Sequence, residues 1–528
     1  MRNQGLGSWL VRRLEKSGPR TAVIHGERTL TYRELHDRSR RLATALSGRG
    51  VGPGDRVAFL GENSPAFLEA MFAAGALGAV LVPLNTRLAV PEIRYQLEDA
   101  DVSVLIHDAA LTGLAAPAAR DLPDVVRWVV AGEDAAEEGA AEEGADGEDA
   151  DGVPALGTVI AAAEPWTEDV PVGLDDLAVI LYTSGTTGRP KGACLTHGNF
   201  TWNCFNVLVD YDVAADDVAL MISPMFHVAS LGMGVLPTLL KGATLVLESK
   251  FVPGRVLELI ERHRVTWLSG VPTTYQMLCE HPDWDTTDLS SLRKLTCGGS
   301  AVPMRVLDAY ENRGLAFTAS YGMTETSPGA TNLPAAKSRE KAGSSGLPHF
   351  FSDVRIVDAA GEPAAPGEAG EILLSGPNVI REYWNRPDAA GSFEGEWFHS
   401  GDLGYLDEDG YLFVADRIKD MIISGGENIY PAEVEAAILE LPEVAAVAVI
   451  GVPDEKWGER PKGFVKLKDG AHVTSEQLIE HVKGKIARYK APKAVDFVVE
   501  LPKTSTGKIQ KFALREAEWG SGTPRIRG

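Results

Sequence analysis

Short apolar runs alternate with longer helix-forming stretches through the first third of the chain. Thr31-Tyr32-Arg33-Glu34 sets a hydroxyl and a carboxylate three residues apart, a capping box that opens a helix ending near Gly48 and Gly50. Val57 to Leu60 then reads as a strand, Pro65 to Leu77 as a helix, Ala79 to Val82 as a strand, Pro91 to Glu98 as a helix and Val102 to Ile106 as a strand. The longest apolar run, Ala70 to Leu84, is too short to span a membrane and contains Pro83, so it predicts a buried helix leading into a strand. The same alternation returns with strands at Val218 to Ile222, Thr244 to Leu247, Trp267 to Gly270 and Lys294 to Thr296. Alternating strands and helices imply a mostly parallel sheet covered on both faces, with ligands outside the carboxyl ends of its strands.

Beyond about Phe350 the pattern changes to short strands and turns, at Val354 to Val357, Gly370 to Ser375 and Gly410 to Val414. A small unit follows: a helix from Pro431 through Leu439, strands at Val444 to Val452 and Gly463 to Leu467, a helix under the Thr474-to-Gln477 capping box, and a strand at Ala494 to Val499. The expected fold class is α/β. A large N-terminal domain (residues 1–416) combines mostly parallel, helix-covered sheets with a small β-rich subdomain, and a small, mobile α+β C-terminal domain (417–528) follows. No internal repeat is visible, and the tail after Trp519 reads as frayed.

Composition narrows the class. A chain of 528 residues with 44% apolar content can bury more than one core. Its net charge of −23 argues against nucleic acid or an anionic membrane as a standing partner. Ten of the acids lie between Glu133 and Asp151 with no Lys or Arg among them, and residues 131–152 read as an acidic disordered surface insertion. Cys194, Cys204, Cys279 and Cys297 form no CxxC pair, so reduced thiols in a cytoplasmic protein are expected. Met1 to Leu10 lacks the basic-then-apolar order of a signal peptide.

The chemistry concentrates first in Tyr182-Thr183-Ser184-Gly185-Thr186-Thr187-Gly188-Arg189-Pro190-Lys191-Gly192, which follows an apolar strand at Leu177 to Leu181. Such a loop offers backbone N–H groups, hydroxyls and one ammonium to a polyphosphate, and its glycines admit the phosphates close to the backbone. It is not a Walker A loop: Arg189-Pro190 separates the last Gly from Lys191, no Ser or Thr follows the lysine, and Ala193 to Leu195 reads as a strand.

Taken with Pro224-Met225-Phe226-His227, Gly298-Gly299-Ser300, Tyr321-Gly322-Met323-Thr324-Glu325, Ser400-Gly401-Asp402, Asp416-Arg417-Ile418-Lys419-Asp420, Ser424-Gly425-Gly426-Glu427-Asn428-Ile429 and Pro502-Lys503-Thr504-Ser505-Thr506-Gly507-Lys508, the chain resembles the AMP-forming, acyl-adenylate-forming superfamily from about Leu30 to Lys508. The resemblance implies activation of a carboxylic acid by ATP and Mg2+, then transfer of the acyl group to CoA. It makes Lys191 and the loop residues Thr183, Ser184, Gly185, Thr186, Thr187 and Gly188 the phosphate site. Glu325 becomes the magnesium ligand with Thr183, and Thr324 a phosphate-binding hydroxyl. Gly299, Ser300, Tyr321 and Gly322 would wall the adenine, while Asp402 and Arg417 would meet the ribose. His227, Gly298 and Ser320 would line the acyl pocket, with His227 beside the substrate carboxylate. Lys508 would enter between carboxylate and α-phosphate and follow the charge of the transition state. Lys419 would be the hinge of a domain rotation that brings Gly425 and Gly426 to a tunnel for the CoA thiol.

The chain departs from the family pattern at Ile423, where several relatives carry lysine, at Asn428, and at Ser320, which stands where many have glycine and would narrow one side of the acyl pocket. Val228 to Leu236 and Ala301 to Met304 are apolar and carry no cation for a second carboxylate. The expected activity is therefore an acyl-CoA synthetase for a medium- or long-chain fatty acid. Two alternatives stay open, an aromatic-acid CoA ligase of coumarate or benzoate type and a stand-alone enzyme that loads a carrier protein. A homodimer is left open, with no nucleic acid and no integral membrane segment expected. A catalytically silent binding protein is disfavoured, because Lys191, Glu325, Asp402 and Lys508 are all present.

Overall fold

A computed structural model describes residues 2–131, 152–168, 170–183, 190–299, 302–417, 420–424, 427–454, 457–503 and 509–519, with the side chains of residues 416, 417, 427 and 428 left out of that description. The local signals read from the sequence act where they were placed. Thr31 accepts from the Glu34 amide and Glu34 from the Thr31 amide at 2.7 Å, opening the helix Tyr32–Ser47. The helix Pro65–Leu77 is buried on every side and leads through Gly78, at a φ of 70°, into the buried strand Val80–Leu84. Apolar residues all round a helix are what burial between layers requires.

The chain divides into two compact units, residues 1–342, 346–354 and 374–398 in one and 343–345, 355–373 and 399–528 in the other. The first contains two sheets. Six strands run in the order Val126–Val130, Val102–Asp108, Arg56–Leu60, Val80–Leu84, Leu177–Thr183 and Lys191–Thr196, parallel except for the last pair. Nine strands run in the order Leu347–Pro348, Gly329–Leu333, Phe317–Gly322, Lys294–Gly298, Trp267–Gly270, Val218–Met221, Thr244–Leu247, Thr21–His25 and Arg28–Thr31. The five from Phe317–Gly322 to Thr244–Leu247 are parallel to one another. Val218–Met221 and Thr244–Leu247 are near-continuous apolar runs, as expected of strands covered on both faces, whereas the other three carry Ser269, Thr296, Thr318 and Ser320.

The second unit holds residues 399–406 of the strand Trp397–Leu406, antiparallel to Leu412–Arg417, and a five-stranded sheet of Glu427–Ile429, Ile422–Ser424, Gly458–Leu467, Val444–Asp454 and Ala494–Phe497. The helices Pro431–Leu439 and Ser475–Lys485 supply Val434, Ile438, Leu478 and Val482 to its core. Some elements were not expected. The helix Gly7–Ser17 packs its Trp9 and Leu10 into the first unit, and the strand Gly458–Leu467 begins five residues before Gly463, in a charged stretch that carries no apolar alternation. Of the insertion expected at residues 131–152, residues 132–151 lie outside the described residues.

Candidate active site

The phosphate-loop motif sits on an antiparallel hairpin. Thr183 lies opposite Lys191, and the Thr183 hydroxyl donates to the Lys191 carbonyl at 3.4 Å. Residues 184–189, and with them Ser184, Gly185, Thr186, Thr187 and Gly188, lie outside the described residues. The flanks of the loop are held from the helix Val90–Asp99. Tyr95 donates to the Pro190 carbonyl at 3.3 Å, Tyr182 donates to Asp99 Oδ2 at 2.6 Å, and the two rings meet edge to face at 6.3 Å. Burial, reinforced by the Asp99 carboxylate, drives the Tyr182 phenol far up, so it stays a proton donor.

Residues 382–384 run alongside this hairpin and pair with its second strand through backbone hydrogen bonds. Ala193 bridges Tyr383, and the Trp384 amide donates to the Gly192 carbonyl at 2.7 Å. That pairing places Tyr383, which sequence reasoning missed, between the two charged groups of the site. Its ring lies 5.5 Å from Lys191 Nζ, and its hydroxyl donates to Glu325 Oε1 at 2.8 Å. Burial first, and then Glu325, push its phenol far up. The turn Thr324–Thr326 that carries Glu325 is pinned in turn. The Ile380 amide donates to the Glu325 carbonyl at 2.9 Å, and the buried Asn378 amide donates to the Thr326 and Gly329 carbonyls at 2.8 and 2.7 Å.

Glu325 is half-buried, and among the described residues no group of three or more His, Cys, Asp or Glu is arranged to hold a metal ion. A lone carboxylate fits Mg2+, which keeps most of its coordination from water and phosphate oxygens; it would not fit an ion that needs an all-protein cage.

On the nine-stranded sheet, the remaining candidates of the first unit gather at the carboxyl ends of neighbouring strands. Gly298 and Ser320 are register partners, Tyr321 and Gly322 follow, and Gly299 has a φ of 88°. His227 precedes the short helix Val228–Ser230 beyond the strand Val218–Met221, with its ring 4.8 Å from that of Phe226. The loop that bears it is held by Asn63, another residue the sequence did not single out. The Met225 amide donates to Asn63 Oδ1 at 2.7 Å, and Asn63 Nδ2 donates to the Ser223 and Glu248 carbonyls at 2.9 and 3.1 Å. Asparagine after a strand is ordinary loop chemistry, which is why no sequence signal marked it.

In the second unit, Ser400-Gly401-Asp402 lies within a strand and not in a turn. Asp402 is buried, its amide donates to Ser400 Oγ at 3.0 Å, and its register partner is Arg417. Ile423 is half-buried opposite Asn428. Ser300, Lys419, Gly425, Gly426 and Lys508 lie outside the described residues.

Known proteins resemble the chain along nearly its whole length. Residues 10–384 match the family model described as AMP-binding enzyme, and residues 433–508 match the AMP-binding enzyme C-terminal domain. A feruloyl-CoA synthase of an Amycolatopsis species is 52% identical over 518 residues, 98% of this chain and 99% of its own length. A long-chain-fatty-acid–CoA ligase of Mycobacterium tuberculosis is 37% identical over 522 residues, 98% of each chain. The structure of o-succinylbenzoate CoA synthetase from Bacillus subtilis in complex with ATP and magnesium ion superposes with a TM-score of 0.83 at 32% identity, covering 96% of this chain and 98% of its own.

Proposed function

The chain belongs to the AMP-binding enzyme family and is an AMP-forming acyl-CoA synthetase, an acid–thiol ligase using ATP with Mg2+ and CoA, and from this premise we propose that the acid it activates is aromatic, of the hydroxycinnamate type. The observation that carries the reading is identity of 52% along nearly the whole chain with a feruloyl-CoA synthase, against 37% with a long-chain-fatty-acid–CoA ligase. The fatty-acid expectation gives way to the aromatic alternative. It rested on apolar segments, and an apolar wall suits a ring as well as an alkyl chain.

In the proposed reaction a carboxylate oxygen of the acid attacks the α-phosphorus of ATP and pyrophosphate departs. The CoA thiolate then attacks the acyl carbon, and AMP leaves with the electrons of the broken C–O bond. Lys191 and the loop before it hold the β- and γ-phosphates. Glu325, aimed by Tyr383, holds the metal with Thr183; Mg2+ bound there supplies positive charge to the phosphate oxygens. Thr324 adds a phosphate-binding hydroxyl, and Gly299, Ser300, Tyr321 and Gly322 wall the adenine. Asp402 and Arg417, adjacent in register, receive the ribose. His227, Gly298 and Ser320 line the acyl pocket, and the Lys508 ammonium offsets the meeting of two anions. The proposed division of labour runs at residues 416/417, with Lys419 as hinge and Gly425 and Gly426 as the thiol tunnel.

The test is AMP release from ATP and Mg2+, with and without CoA, over hydroxycinnamates, benzoates and aliphatic acids from acetate to palmitate. A CoA-dependent maximum on the hydroxycinnamates is expected. A maximum on aliphatic acids of about eight carbons or more, where burial per methylene accumulates, would restore the fatty-acid reading. Turnover only with a carrier protein's phosphopantetheine would support the stand-alone loading enzyme.

A further inference from the structure

The face of the nine-stranded sheet that carries Ser320 is polar where a covered sheet is ordinarily apolar. Ser269, Thr296 and Thr318 are successive register partners across three central strands, and one step further along, Gly298, Ser320 and Asn332 are partners in the same way. Register partners share a face. Ser269, Thr318 and Ser320 remain half-buried in the middle of this sheet, so the face is recessed and not closed by apolar packing.

Two buried polar atoms without hydrogen bonds in the chain belong to residues tied to Ser320: the Tyr211 hydroxyl and Asn332 Oδ1. Tyr211 caps the helix His197–Asp210, and its ring lies 6.1 Å from that of His349. The Ser320 hydroxyl faces the Tyr211 hydroxyl without completing a well-formed hydrogen bond. His349 Nδ1 is bonded to Asp210, which fixes the ring beside Tyr211. Buried polar atoms are almost always paired, so two orphans beside one residue point to a missing partner.

We propose that Tyr211 and Ser320 are specificity-determining residues that read a ring hydroxyl of the acid, making the substrate class phenolic aromatic acids and not aromatic acids in general. The inference rests on the aromatic reading above. A phenolic hydroxyl has one proton to give and lone pairs to accept with, and the recess offers both complements. Asn332 Oδ1 accepts, while Tyr211 and Ser320 donate. An acid without the hydroxyl enters the same apolar walls and leaves these atoms unpaired, which is the arrangement that rejects a deoxy analogue strongly.

The test compares kcat/KM for CoA-dependent AMP release on 4-hydroxycinnamate and on cinnamate, in the wild type, Tyr211→Phe and Ser320→Ala. The wild type is expected to favour the hydroxylated acid by about 10-fold or more, and Tyr211→Phe to bring the ratio to within about threefold of unity, the range one buried unpaired polar group covers. Ser320→Ala is expected to shift the ratio in the same direction and decides the matter alone if Tyr211→Phe does not melt cooperatively. A wild-type ratio near one, as a resident water satisfying these atoms would produce, overturns the inference while leaving the aromatic reading intact. So does an unchanged ratio in both variants, even if kcat falls. Turnover of neither acid overturns the aromatic reading and this inference with it.

Discussion

At the scale of single residues, the site depends on side chains that hold other side chains. Tyr383 supports two charges by different means, its hydroxyl on Glu325 and its ring beneath Lys191. Tyr383→Phe keeps the ring and removes the hydrogen bond. Hydrogen bonds to charged groups contribute roughly 1.5–3 kcal/mol, so the half-saturating Mg2+ concentration for ATP binding by calorimetry should rise at least about 5-fold; an unchanged value would count against this positioning. A second residue governs stability. Burial pushes the His197 imidazole down to about 4, and its Nδ1 accepts the Leu6 amide at 3.2 Å. The native chain leaves it neutral where the unfolded chain binds a proton, so its contribution is full above the ordinary value of 6.5 and is lost as pH falls toward 4. Asp108, pushed up to about 7 by burial, works in the opposite direction over the same range. The stability difference between wild type and His197→Gln isolates the imidazole, and should shrink by up to about 3 kcal/mol between pH 7 and pH 4. A difference that stays constant across that interval would remove His197 from the account.

At the scale of elements, short-range signals were legible because their chemistry is local. The capping boxes at Thr31 and Thr474 open helices where expected, and the strand Trp267–Gly270 and the helix Pro431–Leu439 have the expected bounds. The strand expected from Ala79 to Val82 runs instead from Val80 to Leu84, with Pro83 opposite Phe59, one residue from its end. Gly322 shows how an element can demand a residue for reasons apart from the ligand. A Cβ there would lie 1.7 Å from the Pro328 carbonyl oxygen, a contact that only separation of the strands Phe317–Gly322 and Gly329–Leu333 could relieve. Gly322→Ala is therefore expected to destabilise by more than the ordinary range of about 0.5–3 kcal/mol, read as loss of soluble protein or a large fall in Tm. Gly113→Ala, where an added Cβ meets nothing within 4 Å, is the control and should be near neutral.

At the scale of the whole molecule, the acids of the chain are unevenly spread, ten of them lying between Glu133 and Asp151. Val129 and Ala155 are paired as a parallel bridge and the Val129 amide donates to the Pro154 carbonyl at 3.1 Å, so the chain on either side of the acidic segment is already joined. Replacing residues 133–151 by a short Gly/Ser linker should remove ten acids and leave Tm and CoA-dependent turnover within about twofold; a large loss of either would give the segment a role in the fold or the site. No helix among the described residues is long and apolar enough to cross a membrane. The family, its ATP, Mg2+ and CoA chemistry and the alternation of layers could be read from the chain alone, because capping boxes, apolar periods and motif spacings are properties of neighbours in sequence. Which residues aim those motifs could not. Tyr383 reaches Lys191 and Glu325 through a strand pairing nearly two hundred residues distant in the chain, Asn63 holds Met225 across 162 residues, and Tyr211, Ser320 and Asn332 share a recess only because separate elements fold onto one face. Such neighbours are set by packing and sheet register, and only the tertiary structure decides them.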